Sequence, residues 1–189
     1  MHDQNIYDNE VFFEGYRKLR EQPSAANHLV EKPALFSLCP NLSGKRVLDL
    51  GCGYGENCRE FLHLGASHVT GLDLSEKMLQ IAKAENDAER ISFVRMSMSD
   101  LSALDGTFDV VFSSLAVHYV EDFDQLPAQI HRLLADGGSF LFSQEHPFTT
   151  ALRKGPRWSQ NEDGTINHYN LSDYGIPGIR TTTWIVDGV

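Results

Sequence analysis

Apolar residues along this chain follow two rhythms that take turns. Val47 to Leu50, His68 to Leu72, Ile91 to Arg95, Phe108 to Ser113 and Ser139 to Ser143 are short runs rich in Val, Leu, Ile and Phe. They predict five strands, and the first has the make-up of a buried parallel strand. Between the runs, apolar residues recur at helical spacing. Cys58, Phe61 and Leu62 mark a helix over Glu56 to Leu64, ended by Gly65 as a left-handed cap. Met78, Leu79 and Ala82 mark another over Glu76 to Glu85, capped by Ser75. Phe123, Leu126, Ile130, Leu133 and Leu134 mark a third, with Pro127 in its first turn and Asp136-Gly137-Gly138 as its stop. Upstream, Phe12, Phe13, Tyr16 and Leu19 predict a helix over 11–20, with Asp8 or Asn9 as cap. A looser helix runs from Asn27 to Leu38, weakened by Pro33.

Strand and helix alternate from Arg46 to Ser143. That order predicts an α/β fold, a Rossmann-like and mainly parallel sheet with right-handed crossovers. Ligands of such sheets lie beyond the carboxyl ends of the strands, where the strand order reverses. Residues 144–189 read differently. Glycines are scattered among polar and aromatic residues, and only Ile179 to Val186 has a strand pattern. The expected organisation is one domain, with N-terminal helices in 1–44, a core in 45–143, and an irregular lid or substrate segment in 144–189.

The candidate chemistry sits at the first strand. Arg46 to Gly55 reads R-V-L-D-L-G-C-G-Y-G. Gly51, Gly53 and Gly55 predict a tight turn whose backbone comes close to a ligand at a helix N-terminus. A dinucleotide fold wants G-x-G-x-x-G, whereas the spacing here is G-x-G-x-G. Asp49 precedes the turn and would repel a pyrophosphate, but not a ligand with a cationic centre. Asp73, at the end of the second strand, is placed to accept hydrogen bonds from both hydroxyls of a ribose. It could serve as a helix cap instead, but its spacing to the glycines favours the ribose.

The net charge of −10 weighs against nucleic acid as the main partner. No apolar run approaches the ~20 residues that span a membrane, and the first residues, Met1-His2-Asp3-Gln4-Asn5, lack the make-up of a signal peptide. Cys39, Cys52 and Cys58 have no metal-ligand spacing, and their odd number predicts free thiols in a reducing cytoplasm. Cys52 reads better as a small residue in a crowded turn than as a reactive thiol.

Four stretches together resemble the class I S-adenosylmethionine-dependent methyltransferases of the type 11 kind. V-L-D-L-G-C-G-Y-G is similar to their first motif and V-T-G-L-D-L-S-E-K-M-L to their second. F-D-V-V-F-S-S-L-A-V-H-Y-V is similar to the fourth, and L-L-A-D-G-G-S-F-L-F-S to the strand-five motif. The resemblance covers residues 45–143 and implies S-adenosylmethionine as cofactor, S-adenosylhomocysteine as product and a seven-strand sheet. It implies that Gly51, Cys52 and Gly53 approach the methionine part, with Asp49 near its amino group. Asp73 would hold the ribose. Leu74 and Met78 would pack on the adenine, although Met78 reads equally well as plain core. Ser97 and Met98 would meet the adenine edge. Relatives often carry an acid at the position of Ser97, and Asp100 reads better as a turn cap than as its substitute. Ser114, Leu115 and His118 would line the site near the sulfonium. Tyr7, Tyr16 and Arg20 stand where relatives place residues that cover the cofactor, although Tyr16 reads better as helix packing.

Methyl transfer needs proximity, alignment and exclusion of water, and a base when the acceptor loses a proton. His118, Tyr119, Glu145 and His146 are the candidates. His118 and His146 read almost equally well as ordinary loop and turn residues. The expected activity is methyl transfer to a small molecule. The alternatives are a cofactor-binding protein without transferase activity and, further off, a nicotinamide-dependent oxidoreductase. The resemblance implies the strand order 3-2-1-4-5-7-6, with the C-terminal strands missing here, and that would leave strand five as a bare apolar edge. It predicts that Val189 is not the natural C-terminus, or that a partner chain, as in a homodimer, covers the edge.

Overall fold

The computed structural model describes residues 5–20, 27–86 and 89–178. The described residues fall into two compact units, one up to Gln144 and one from Glu145 onward. The first holds a five-stranded sheet in the order β3-β2-β1-β4-β5. Its strands are β1 (Arg46–Leu50), β2 (His68–Asp73), β3 (Ile91–Arg95), β4 (Phe108–Ser113) and β5 (Leu134–Phe142), all parallel. β1 lies at the centre with its last four residues buried, as its unbroken apolar run predicts. The order reverses between β1 and β4, so the carboxyl ends of these two strands form the switch point.

The helices of the first unit are α1 (Glu10–Arg20), α2 (Lys32–Ser37), α3 (Glu56–His63), α4 (Glu76–Glu85) and α5 (Leu126–Leu133). Asn9 caps α1 by accepting the amide of Phe12 at 3.1 Å, and Ser75 caps α4 by accepting that of Met78 at 3.2 Å. Gly65 ends α3 in the left-handed region, at φ 94°. The stretch expected as one loose helix divides in two. Asn27–Glu31 is a π-helical turn, and α2 begins after it with Pro33 in its first turn, where a missing N–H costs little.

One core lies on each face of the sheet. Val47, Val69, Val110 and Phe112 pack with Cys58, Phe61 and Leu62 of α3 and with Leu35 of α2. Leu48, Leu50 and Val111 pack on the other face with Leu126, Ile130 and Leu133 of α5. The alternation along β1 therefore puts Asp49 on the α3 face, where its carboxylate accepts the Cys58 thiol at 3.5 Å.

Two expectations need correction. Helix α5 stops at Leu133, because Leu134 turns extended and pairs with Phe108. The next pair in register is Ser139 with Val110, so Asp136-Gly137-Gly138 is a bulge within β5 and not a helix stop. Phe123 lies ahead of α5 and is 37% exposed. The second unit also carries an unforeseen hairpin, β6 (Trp158–Gln160) antiparallel to β7 (Ile166–Tyr169). Its strands are too short and too polar to show a period. The strand expected over Ile179 to Val186 lies outside the described residues.

Phe61 is fully buried between Phe36 and Phe112, at ring distances of 5.5 and 4.8 Å. Phe61→Ala should cost about 3–5 kcal/mol in urea unfolding. Leu38→Ala, at a position 70% exposed, should stay within about 0.5 kcal/mol.

Candidate cofactor site

The turn after β1 is built by its glycines and by two neighbouring strands. The amides of Gly51 and Cys52 both donate to the carbonyl of Leu72, at 2.7 and 2.9 Å. Gly51, Gly53 and Gly55 are left-handed, at φ 74°, 53° and 75°. Gly51 has a second reason to lack a side chain, since a Cβ there would lie 2.5 Å from Ala116 Cβ. At Gly53 a Cβ would meet nothing within 4 Å, so this turn is packed on Gly51 and open at Gly53.

Asp73 closes the turn from the end of β2. One carboxylate oxygen accepts the amide of Gly53 and the other that of Ser75, both at 2.8 Å. Burial raises its carboxyl above the usual range against these hydrogen bonds. Asp8 Oδ1 accepts the Ser75 hydroxyl at 2.6 Å and the Lys77 amide at 3.3 Å, which ties the N-terminal segment to the start of α4. Tyr7 then stands near Asp73. Burial foremost, then Tyr16, Tyr119 and Asp73, hold its phenol far above the ordinary value. Its hydroxyl lies 3.1 Å from that of Tyr119, which follows β4.

Asp49 is fully buried, and its Oδ1 has no hydrogen-bond partner. At the carboxyl ends of β4 and β5, Glu31 Oε1 accepts the hydroxyl of Ser114 at 2.8 Å and that of Ser143. Ser143 Oγ also accepts the amide of Leu115 at 2.9 Å, holding that residue left-handed at φ 49°.

Most of the expected site residues are brought to this end of the sheet. Leu74 and Met78 flank Ser75 at the start of α4, with Met78 3% exposed. Ser97 and Met98 follow β3. Ser97 accepts the amide of Ser99 at 3.0 Å, and Met98 Cε would lie 3.1 Å from a Cβ on Gly51. Asp100 accepts the amide of Ser102 at 3.0 Å, a turn cap as expected. Ser114 and Leu115 follow β4 just ahead of Ala116, which lies against Gly51, and His118 sits in the 3-10 turn Val117–Tyr119. Glu145 and His146 open the second unit. There His146 accepts the amide of Phe148 at 3.3 Å and stacks on Tyr174, and Glu145 accepts the Thr149 hydroxyl at 3.3 Å. The side chain of Arg20 lies outside the described residues. Glu31 was not foreseen. It is one acid in a loosely periodic stretch, and no spacing marks it.

Residues 48–142 match the family described as a methyltransferase domain. The chain belongs to this family. A crystal structure of an S-adenosylmethionine-dependent methyltransferase from Mesorhizobium loti is 40% identical, with a TM-score of 0.72 over 83% of this chain and 69% of that one. An uncharacterised protein of Haemophilus influenzae is 43% identical over 95% of this chain and 73% of its own length. An arsenite methyltransferase of Aquipseudomonas alcaligenes is 39% identical over 54% of this chain, but the chain spans only 33% of that enzyme.

The residues of this methyltransferase domain fit S-adenosylmethionine. Asp73 stands beside the open Gly53, and each of its oxygens keeps a lone pair for a ribose hydroxyl. The carboxylates of Asp49, Asp73 and Glu31 suit a cationic ligand and oppose a pyrophosphate. The cation next to them, Lys32, is paired with Glu56 at 2.6 Å. The nicotinamide reading loses its support here.

Burial above all, with the charge of Asp73 in support and the Cys58 thiol opposing, pushes the Asp49 carboxyl up to about 7. The folded protein then holds this proton more tightly than the unfolded chain, whose value is about 4. The contribution of Asp49 to stability is therefore fully present below about 4 and is lost as pH rises toward and through about 7. Urea midpoints of the protein without added ligand should fall relative to those of Asp49→Asn as pH rises across this window. An equal slope in both proteins would assign the effect to other groups.

Proposed function

We propose that this methyltransferase transfers a methyl group to a small-molecule acceptor held beyond the carboxyl ends of β4 and β5. One observation supports this reading most. The carboxyl ends of β1 and β2 carry an open Gly53, a ribose-competent Asp73 that accepts its amide, and the buried Asp49 with an oxygen that lacks a donor. The acidic balance of the chain argues in the same direction, because a net charge of −10 disfavours a nucleic acid acceptor.

When bound, the cofactor supplies an electrophilic methyl group on a sulfonium. The chain's own part is to orient the acceptor, to exclude water and to receive a proton where the acceptor must lose one. Asp73 and the glycine turn hold and orient. Tyr7, packed edge-on against Phe12 and Tyr16, covers this end of the sheet. Its phenol stays protonated, so it donates hydrogen bonds and does not act as a base. His118, half-buried beyond β4 with its ring 4.4 Å from that of Tyr119, is the candidate in the first unit for a proton acceptor.

Calorimetric titration should show binding of S-adenosylmethionine and S-adenosylhomocysteine but not of NAD. Asp73→Ala should weaken that binding by about 1–3 kcal/mol. With tritium in the cofactor methyl and a cell extract split by ultrafiltration, label should pass to the small-molecule fraction. Label that reaches only macromolecules would overturn the choice of acceptor class.

A further inference from the structure

We propose that Glu31 receives the α-ammonium of the cofactor's methionine end, through its Oε2 and alongside Asp49. The inference rests on the S-adenosylmethionine reading of the site. Glu31 closes the π-helical turn Asn27–Glu31, and its Oε1 is held from two sides by hydroxyls of Ser114 and Ser143. The carboxylate is therefore oriented before any ligand arrives. Its Oε2 is buried and has no hydrogen-bond partner. A buried acceptor without a donor is costly, and a native structure keeps one where something else fills the need.

The height of this oxygen along the sheet says what would fill it. Asp49 of β1 is in register with Phe112 of β4, and the hydroxyl of Ser113 donates to the carbonyl of Leu50 at 2.8 Å. Ser114 follows directly, and two residues later Ala116 lies against Gly51, the first residue of the glycine turn. Glu31 thus reaches the switch point at the level where the turn exposes its backbone, not above the sheet. Asp49 supplies the second, independent observation. It is fully buried, its Oδ1 also lacks a partner, and among nearby charges it feels Asp73 and Glu31 as repulsion and Lys32 as attraction. Lys32 is already engaged by Glu56. Two carboxylate oxygens without donors, in mutual electrostatic reach, ask for one cation with several N–H groups. A primary ammonium has three. A phosphate or a carboxylate would be repelled there, and a neutral hydroxyl would answer only one of the two oxygens.

The test compares two ligands on the full chain. S-adenosylhomocysteine carries the ammonium. 5′-Methylthioadenosine has the same adenosine and a thioether but no amino acid end. Glu31→Gln keeps the shape of the side chain and an oxygen for the two serines. It should weaken S-adenosylhomocysteine by about ten- to a hundred-fold, the effect of one charge-assisted hydrogen bond, and leave methylthioadenosine unchanged. Unchanged binding of both ligands would overturn the proposal and turn Glu31 toward the acceptor. An equal loss of both would overturn it in favour of a purely structural role. Retained methylthioadenosine binding also reports that the variant is folded. The unaltered protein gives a second reading without mutation. Deaminated S-adenosylhomocysteine should lose a comparable factor on it, and should then bind Glu31→Gln and the unaltered protein alike. A further loss on Glu31→Gln would overturn the pairing. Failure of the unaltered protein to bind S-adenosylhomocysteine at all would instead overturn the cofactor reading, and this inference with it.

Discussion

At Gly51 the chain leaving β1 and the chain leaving β4 come so close that a methyl group does not fit between them. A Cβ there would lie 2.5 Å from Ala116 Cβ. This close approach leaves room for glycine alone at the start of the turn. The turn there is left-handed, two of its amides donate to the carbonyl of Leu72, and the Gly53 amide donates to Asp73 at 2.8 Å. Asp73 in turn holds the amide of Ser75, and Asp8 holds the Ser75 hydroxyl. The N-terminal segment is thereby fastened to the start of α4. A run of hydrogen bonds thus links the glycine turn to a segment far away in sequence.

The second constraint is electrostatic. Asp49 is placed on a buried face by the alternation of β1, not by a need for charge in the core. A carboxylate there is poorly solvated and is satisfied only by a thiol. Glu31 adds a further carboxylate at the same end of the sheet. Such an arrangement is disfavoured by itself and favoured by a cation, which is the property a site for a sulfonium cofactor needs. The stability given up there and the selectivity for a positive ligand have the same origin.

The residues that can be read in sequence are those whose role is local. β1 and its turn are legible because an apolar run and three alternate glycines act through their own backbone. Ser75 and Gly65 are legible because a cap bonds within its own turn. Asp73 is legible by its distance from the glycines, although its grip on the Gly53 amide is not. The bulge in β5 was hidden, since Asp136-Gly137-Gly138 stops a helix as readily as it interrupts a strand. The hairpin of the second unit was hidden too, since strands of three and four residues are too short for a period.

The sequence by itself determined the order of strands and helices from Arg46 to Phe142, the α/β class and the family, because each shows in patterns and motifs of residues close together in the chain. Only the tertiary structure decided the contacts of Glu31 and Tyr7. Glu31 meets Ser114 across 83 positions, and Tyr7 meets Tyr119 across 112. No rhythm along the chain encodes such a meeting. It follows from where the packed sheet brings the ends of β4 and β5, and a carboxylate oxygen becomes an orphan only once the core around it has closed.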